Sequence, residues 1–193
     1  MDGAHRAALR ARGLAGAALE GLTVYLDLVE RWSARVNLTA ARDPESRVRI
    51  LIDPALEAAA HLTPGPLLDI GSGNGSPGLV LALLNRGRAS TLLEPRTRRW
   101  AFLVEAARVA GAGNVRVLRV RHDGYEGEPA ANVLVRAVRL PPATLLPLVM
   151  PGGRLLMWRD PGPLPKGLER PLGPASPHGL RVLYRARAAG CST

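Results

Sequence analysis

The stretch LLDIGSGNGSPG, residues 67–78, decides the fold, because an apolar run enters a glycine-rich turn and a second apolar run follows. This pattern predicts a strand, a tight turn and a helix over about residues 77–85. Gly71, Gly73 and Gly75 let the backbone adopt positive φ and come close to a ligand that a Cβ would push away. The unsatisfied N–H groups at the start of the helix would point at that ligand.

An acidic residue downstream of the loop supports a ligand site. Glu94 closes the next apolar run, Ser90 to Leu93, and lies about twenty positions after the loop. A carboxylate at the end of the second strand of a βαβ unit is placed to accept hydrogen bonds from a ribose diol. Loop and acid together predict a site for a cofactor that contains a nucleoside.

Several nucleotide-type ligands compete for this loop. A P-loop is excluded because no Gly-Lys-Ser/Thr follows the turn. A dinucleotide site would prefer G-x-G-x-x-G; here Pro77 removes an N–H group that a phosphate would use, and Asp69 would repel pyrophosphate. A ligand with a cationic end fits better. S-adenosylmethionine is such a ligand, since it carries a sulfonium, an ammonium and a ribose diol but no phosphate.

The chain before the loop reads as an N-terminal helical cap, residues 1–63. Apolar residues recur at three- and four-residue intervals between Leu14 and Val36, which predicts an amphipathic helix. Asp43-Pro44 marks a turn into a second helix over about residues 44–61. Residues 64–193 are expected to form an α/β core, and cap and core together one structural domain.

From residue 64 onward the pattern alternates between strand and helix, which predicts a doubly wound, mostly parallel sheet with right-handed crossovers. A Pro- and Gly-rich loop is expected over residues 161–177, followed by a final edge strand near residues 179–186 and a poorly ordered tail beyond Arg187. The other predicted elements are strands 67–70, 90–94, 115–120, 132–136 and 153–158, and helices 77–85, 97–110 and 141–149.

Composition narrows the classes of function. The formal charge of +10 and the pI near 11.3 favour a polyanionic partner such as nucleic acid, with a solvated basic surface as the alternative. Cys191 is the only cysteine, which excludes an internal disulfide and a multi-cysteine metal site, and no metal is expected. No apolar run reaches the roughly 18 residues of a membrane span. We therefore expect no membrane partner and a cytoplasmic protein.

Motifs outside the loop extend the pattern. The run WSARVNLTAARDP, residues 32–44, matches the signature W-x-x-x-x-N-L-T-x-x-R-D-P at every fixed position, and residues 69–78 match D-I-G-S-G-x-G-x-P-G. The shorter agreements are Leu92-Leu93-Glu94 with L-L-D, Arg98-Arg99 with K-R, Phe102-Leu103 with F-L, and Val135-Arg136-Ala137 with S-R-A.

Over about residues 20 to 158 these motifs resemble the 16S ribosomal RNA guanine-N7 methyltransferase family, also called glucose-inhibited division protein B. The resemblance implies a class I methyltransferase-like, Rossmann-like α/β fold with a mostly parallel seven-stranded sheet. It also implies S-adenosylmethionine as cofactor, and 16S rRNA or the small ribosomal subunit as the partner of a monomeric enzyme. One departure is Ile50-Leu51-Ile52-Asp53-Pro54, where the family usually carries H-x-x-D-S.

The resemblance assigns two sets of site residues. The loop resembles motif I of class I methyltransferases, Glu94 their motif II acid, and His122-Asp123 the position that contacts the adenine edge. We hypothesise that Asn37, Arg42 and Asp53 cap the cleft and touch the substrate; the alternative is that they lock the N-terminal helices to the sheet. The cofactor set is Asp69, Gly71, Ser72, Gly73, Gly75, Ser76, Glu94, His122, Asp123 and Arg136, and the substrate set is Asn37, Arg42, Asp53, Arg98, Arg99, Arg136 and Arg159.

The chemistry of the implied reaction limits the groups that it needs. Guanine N7 has an in-plane lone pair and carries no proton, so no residue is required as a general base. Two other functions stay open: a class I methyltransferase with another RNA or a small molecule as target, and a basic RNA-binding protein with a vestigial cofactor site. Backbone contacts to RNA are expected from Arg96, Arg98, Arg99, Arg116, Arg119 and Arg121.

Overall fold

The structure, a computed structural model, describes residues 3–170 and 176–187. The N-terminal helices are α1 (Gly3–Arg10), α2 (Gly16–Ser33), α3 (Pro44–Leu51) and α4 (Asp53–Ala59). The following elements are β1 (Leu67–Ile70), α5 (Gly78–Leu84), β2 (Ser90–Leu93), α6 (Thr97–Val109), β3 (Val115–Leu118), β4 (Ala130–Val135), α7 (Pro142–Leu145), β5 (Val149–Met157), β6 (Leu168–Glu169) and β7 (Arg181–Arg185).

Within the described residues, seven strands form one sheet in the order β3-β2-β1-β4-β5-β7-β6. Strands β3, β2, β1, β4 and β5 are parallel, and β7 is antiparallel to both of its neighbours. This topology confirms the predicted doubly wound α/β fold. Ile70 at the end of β1 is level with Leu93 of β2 and Val135 of β4. The loops that follow these three strands therefore meet at one edge of the sheet.

The helical cap packs its apolar stripe on α5 and α6, the helices that cover one face of the sheet. Leu22, Leu26 and Val29 of α2 are fully buried and belong to the same hydrophobic cluster as Phe102 of α6 and Leu134 of β4. A second cluster covers the opposite face of the sheet. Because cap and sheet share one cluster, burial of apolar surface stabilises their association. Among the helices of the described residues, none has the length and apolarity needed to cross a membrane.

The predicted helix over residues 44–61 is two helices, and the prediction of one continuous helix is wrong. Asp43 caps α3 as expected, since its carboxylate accepts a hydrogen bond from the N–H group of Ser46 at 2.8 Å. Pro54 has no N–H group to donate to the carbonyl of Ile50, four residues earlier, and the helix breaks between α3 and α4.

Further differences lie in two other parts of the chain. The expected helix 141–149 is the short α7 followed by a 3₁₀ turn, Leu146–Leu148, because Pro147 removes a helical donor. The predicted loop 161–177 contains β6, and β7 lies between β5 and β6 instead of at the edge. Helix α1 was not predicted. The tail beyond Arg187, with Cys191, lies outside the described residues.

Candidate active site

A cavity of about 700 Å³ lies at the edge where β1, β2 and β4 end. Its walls come from the glycine loop, the turn after β2, the segment after β4 and the end of α3. Sequence segments far apart in the chain thus converge on one space, as the switch point of a doubly wound sheet predicts. The residues that line the cavity include Leu38, Ile50, Leu51, Gly71, Ser72, Gly73, Asn74, Ser76, Glu94, Arg96, Arg99, Arg121, His122, Arg136, Ala137, Val138 and Arg139.

Glu94 is held against the glycine loop. Its Oε2 accepts a hydrogen bond from the N–H group of Gly73 at 3.0 Å, and its Oε1 accepts one from the N–H group of Arg96 at 2.8 Å. The φ angle of Gly73 is +55°, a conformation that glycine adopts without strain. Each carboxylate oxygen has two lone pairs, so Glu94 keeps acceptor capacity on the side that lines the cavity.

Asp69 lies beneath the loop and does not line the cavity. The side chain is 1% exposed, and its Oδ2 accepts a hydrogen bond from the N–H group of Gly78 at 3.2 Å. Burial raises the pKa of Asp69 to about 6, against the opposing effects of the hydrogen bonds from Ser72 and Gly78 and of the Arg136 charge. One N–H group at the start of α5 is therefore directed at Asp69.

The cap helices reach the loop through Asn74. The buried Tyr25 hydroxyl of α2 donates to the carbonyl of Asn74 at 2.8 Å, and the Asn74 side-chain amide donates to the carbonyl of Leu38 at 2.9 Å. Arg99 of α6 donates to the carbonyl of Asn37 at 3.0 Å. The signature segment after α2 is thus attached both to the loop and to α6, and it forms one wall of the cavity.

Arg136 connects the segment after β4 with the end of α3. Its Nη1 donates to Ser76 Oγ at 2.7 Å and its Nη2 donates to the carbonyl of Ile50 at 2.8 Å, the carbonyl that Pro54 leaves without a helical donor. Ser76 Oγ in turn donates to the carbonyl of Leu51 at 2.6 Å. Burial lowers the pKa of Arg136. Two carbonyls at the broken helix are thereby satisfied by side chains that line the cavity.

The segment after β4 has an unusual backbone. Ala137 adopts a φ of +60°, in the left-handed region that only glycine enters readily. Its neighbour Val138 packs so closely on Gly71 that a Cβ at position 71 would overlap the Val138 side chain. This contact explains the requirement for glycine at position 71.

The predicted cofactor set is mostly, though not wholly, at the cavity. The residues that line it are Gly71, Ser72, Gly73, Ser76, Glu94, His122 and Arg136. Asp69 lies beneath the loop, and Gly75 is a loop residue that lies against Leu79 and Leu103 and does not line the cavity. Asp123 is exposed and paired with Arg121, with 3.1 Å between Asp123 Oδ2 and Arg121 Nη2. This arginine lowers the pKa of Asp123. The roles of the set stay predictions.

The residues of the predicted substrate set lie in several different places. Arg99 and Arg136 line the cavity, and Asn37, Arg98 and Arg99 line a neighbouring groove of about 350 Å³. Arg42 and Arg159 are exposed and line neither space. Asp53 forms an ion pair with Arg12, with 3.2 Å between Arg12 Nε and Asp53 Oδ1. For Asp53 the contact therefore favours the alternative, that it fixes the N-terminal helices.

Comparison with known proteins identifies the family of this chain. The GidB family model, described as rRNA small subunit methyltransferase G, matches residues 18–160. The chain belongs to this family. A relative from Halorhodospira halophila, named ribosomal RNA small subunit methyltransferase G, is 42% identical over 144 residues, which cover 72% of this chain and 68% of the relative. One of the same name from Stenotrophomonas maltophilia is 37% identical over 150 residues, 77% of this chain and 68% of the relative.

Solved structures agree on the fold. The yhhF protein of Escherichia coli shares 20% sequence identity, with a TM-score of 0.57 over 78% of this chain and 91% of that chain. A SAM-dependent methyltransferase from Aquifex aeolicus shares 15% identity, with a TM-score of 0.53 over 72% of this chain and 92% of that chain. The class I methyltransferase-like fold predicted for this GidB-family chain is thus confirmed.

Some cavity residues of this GidB-family chain were not predicted. Ile50 and Leu51 line the cavity where the helix breaks between α3 and α4, and only Pro54 signals that break. Leu38 lines the cavity from the signature segment after α2. Val138 and Arg139 follow Arg136 directly and could have been included by proximity.

Proposed function

We propose that the protein transfers the methyl group of S-adenosylmethionine to N7 of a guanine in the 16S rRNA of the small ribosomal subunit. The observation that carries the proposal is the cavity bounded by the glycine loop and Glu94, in a chain of the GidB family. The relatives named for methylation of small-subunit rRNA support the class of substrate. We further propose that the protein acts in the cytoplasm, as a monomer.

The residues around the cavity suit S-adenosylmethionine. Glu94 offers carboxylate oxygens to the two hydroxyl groups of a ribose, and its own position is fixed by two backbone N–H groups. The loop presents Gly73, whose missing side chain leaves room between Arg99 and Glu94. Asp69 contributes negative charge from beneath the loop, which favours a ligand with a cationic end. His122 lines the same cavity, and we propose that it contacts the adenine edge.

The proposed reaction requires that the methyl group of the cofactor and guanine N7 be aligned. S-adenosylmethionine supplies an electrophilic methyl group, and guanine N7 supplies a lone pair that needs no deprotonation. The chain would hold the base and exclude water with the walls formed by the end of α3 and the segment after β4. In an A-form duplex N7 lies in a deep and narrow groove, so the target base must be unpaired or turned out of its stack.

Two alternatives make different predictions. A class I methyltransferase with another RNA or a small molecule as target would bind the cofactor but would not label small-subunit rRNA at N7 of guanine. A basic RNA-binding protein with a vestigial site would bind RNA and fail to bind the cofactor. The buried Glu94 and its two backbone hydrogen bonds favour a working site over a vestigial one.

Calorimetric titration with S-adenosylmethionine tests the cofactor site, with Gly73→Arg as the informative variant. We expect Gly73→Arg to weaken binding by about 100-fold, because the side chain would enter the cavity and the residue would keep a φ of +55°. Gly162→Arg is the matched control, since Gly162 has a φ of +69° in open space. Equal affinities of the two variants would show that the cofactor binds elsewhere.

Transfer of a labelled methyl group tests the substrate. We expect label in small ribosomal subunits that lack methylation, recovered after nucleoside digestion as N7-methylguanosine. Label in any other nucleoside would overturn the proposed target while leaving a methyltransferase. Absence of transfer to RNA together with cofactor binding would favour a small-molecule target.

A further inference from the structure

A second groove adjoins the cavity and is lined by arginines. It lies between the chain that leaves α2 and the first turn of α6, and its volume is about 350 Å³. Arg96 and Arg99 line both spaces, whereas Arg35 and Arg98 line only the groove. Groove and cavity are therefore neighbouring spaces that share two lining side chains. The groove is lined by Arg35, Val36, Asn37, Arg96, Thr97, Arg98 and Arg99.

The arginine side chains of the groove carry positive charge that ion pairs do not neutralise in the described residues. In residues 3–170 and 176–187, none of its four arginines forms an ion pair with an acidic side chain. Glu94 is turned toward backbone N–H groups, and Glu30 of α2 pairs with Arg47, with 2.9 Å between Glu30 Oε1 and Arg47 Nη1. Arg99 donates one N–H group to the carbonyl of Asn37 at 3.0 Å, and the groove offers guanidinium groups that no carboxylate of the described part of the chain neutralises in an ion pair.

The N-terminus of α6 adds to the positive electrostatic potential of the groove. The first turn of this 13-residue helix contains no acidic residue, and Arg96 provides no side-chain cap. The positive end of the helix dipole and the arginines that surround it thus act in the same direction. Planar guanidinium groups match the oxygens of a phosphate, and exposed arginine side chains reorient to follow a flexible backbone.

We propose that this arginine groove binds the phosphodiester backbone of the RNA strand next to the nucleotide that enters the cavity. The inference rests on the proposed function, because it names how the same substrate is held outside the cavity. The two shared arginines let one strand pass from the groove to the cavity. Backbone contacts position a strand without reading its sequence. The groove therefore supplies affinity and register, and the cavity selects the base.

The test uses Arg35→Gln, Arg98→Gln and the double variant, since these side chains line the groove but not the cavity. Arg108→Gln is the matched control, because Arg108 is also an exposed arginine of α6 but lies in the last turn. The measurements are binding to an unmodified, protein-free 16S rRNA transcript between 50 and 300 mM KCl, calorimetric affinity for S-adenosylmethionine, and methyl transfer to unmethylated small ribosomal subunits.

We expect the double variant to bind RNA about 10-fold more weakly at low salt, with a slope of log affinity against log salt reduced by about 1.4 for two lost phosphate contacts. The KM for subunits should rise while kcat changes less than about twofold, because phosphate contacts bind substrate and transition state equally. Cofactor affinity should equal that of the wild type, and Arg108→Gln should behave as the wild type throughout.

Outcomes against the proposal are distinct from outcomes against the proposed function. If the double variant keeps the salt slope and KM of Arg108→Gln, the groove does not bind the RNA backbone, whereas rRNA methylation by the wild type would still stand. A fall in kcat at unchanged KM and salt slope would also overturn the groove proposal. If the wild type binds S-adenosylmethionine but neither binds nor methylates the RNA, the proposed function fails and the groove proposal with it.

Discussion

Asp69 and Gly78 form a buried contact that supports the glycine loop. Asp69 is buried at the end of β1, and its carboxylate accepts the N–H group of Gly78 at 3.2 Å. A Cβ added at Gly78 would lie 2.5 Å from Asp69 Cβ, so glycine at this position permits the contact. Burial disfavours the ionised form of this carboxylate. The free energy of unfolding should therefore depend on pH.

We expect Asp69→Asn to reveal that dependence. Since the folded-state pKa is raised from 3.8 to about 6, the contribution of Asp69 to stability is fully present below pH 3.8 and is lost as pH rises through about 6. The free energy of unfolding of the wild type, relative to Asp69→Asn, should therefore fall by about 2 kcal/mol between pH 4 and pH 7.5. Urea denaturation of both proteins at several pH values measures it.

A control with the opposite sign accompanies this prediction. Asp160 is exposed, and its pKa is lowered by the hydrogen bond from the N–H group of Gly162. Relative to Asp160→Asn the wild type should gain stability as pH rises through the acid range. If the Asp69 difference stayed constant over this range, the carboxylate would not be desolvated as the structure describes.

The sequence predicted site residues best where a local motif fixes them. Glu94 and Gly73 were predicted to face the same ligand, and the structure joins them directly by a hydrogen bond. Asp53 shows the opposite case. Its partner Arg12 lies 41 positions away, at the end of a helix that was not predicted, and no pattern in the chain connects the two residues. A motif match thus identified Asp53 without indicating what it contacts.

At the scale of elements, the attachment of α2 to the glycine loop is the contact that joins cap and site. Tyr25 is fully buried, packs near Phe102 with 6.5 Å between ring centroids, and donates its hydroxyl to the carbonyl of Asn74. Burial raises the pKa of Tyr25, so the hydroxyl stays a donor at any physiological pH. Helix α2 therefore limits how far the loop can move.

We expect Tyr25→Phe to destabilise the fold by about 1 kcal/mol, because the partly buried hydrogen bond from the Tyr25 hydroxyl to the carbonyl of Asn74 would be lost. Affinity for S-adenosylmethionine should fall as well, since Asn74 lines the cavity. Urea denaturation and calorimetry measure the two effects. Tyr184→Phe is the matched control, because the Tyr184 ring contacts Arg154 and lies on β7, away from the loop. Equal stabilities of the two variants would contradict the prediction.

Elements with strong local patterns were predicted well, and those that depend on tertiary contacts were not. Strand β1 has the predicted bounds, and α6 ends one residue before the predicted end. Pro54 and Pro147 are the local signals of the two helix breaks, because each lacks the N–H group that would continue the helix. Strand β6 is two residues long and exists through pairing with β7, so its own sequence contains no periodicity to detect.

At the scale of the whole molecule, cap and sheet share a hydrophobic core. Trp32 at the end of α2 packs edge-on against Phe102 of α6, with 5.7 Å between ring centroids. Trp158, just after β5, contacts the same cluster from the sheet side. Unfolding the cap alone would expose Phe102 and its neighbours to water, at a cost of about 2 kcal/mol for each large apolar side chain. Separate unfolding of the cap is therefore disfavoured.

We expect cap and sheet to unfold in one transition. A variant that keeps only Trp32 (Trp100→Phe, Trp158→Phe) reports on the cap, and one that keeps only Trp158 (Trp32→Phe, Trp100→Phe) reports on the sheet. In each variant the urea midpoint from tryptophan fluorescence should agree with the midpoint from far-ultraviolet circular dichroism within about 0.3 M. Fluorescence and circular dichroism are compared within the same variant. Any effect of the substitutions on stability therefore changes both midpoints equally. A Trp32 signal that changed at lower urea than the circular dichroism would show that the cap unfolds before the sheet, and it would contradict a shared core.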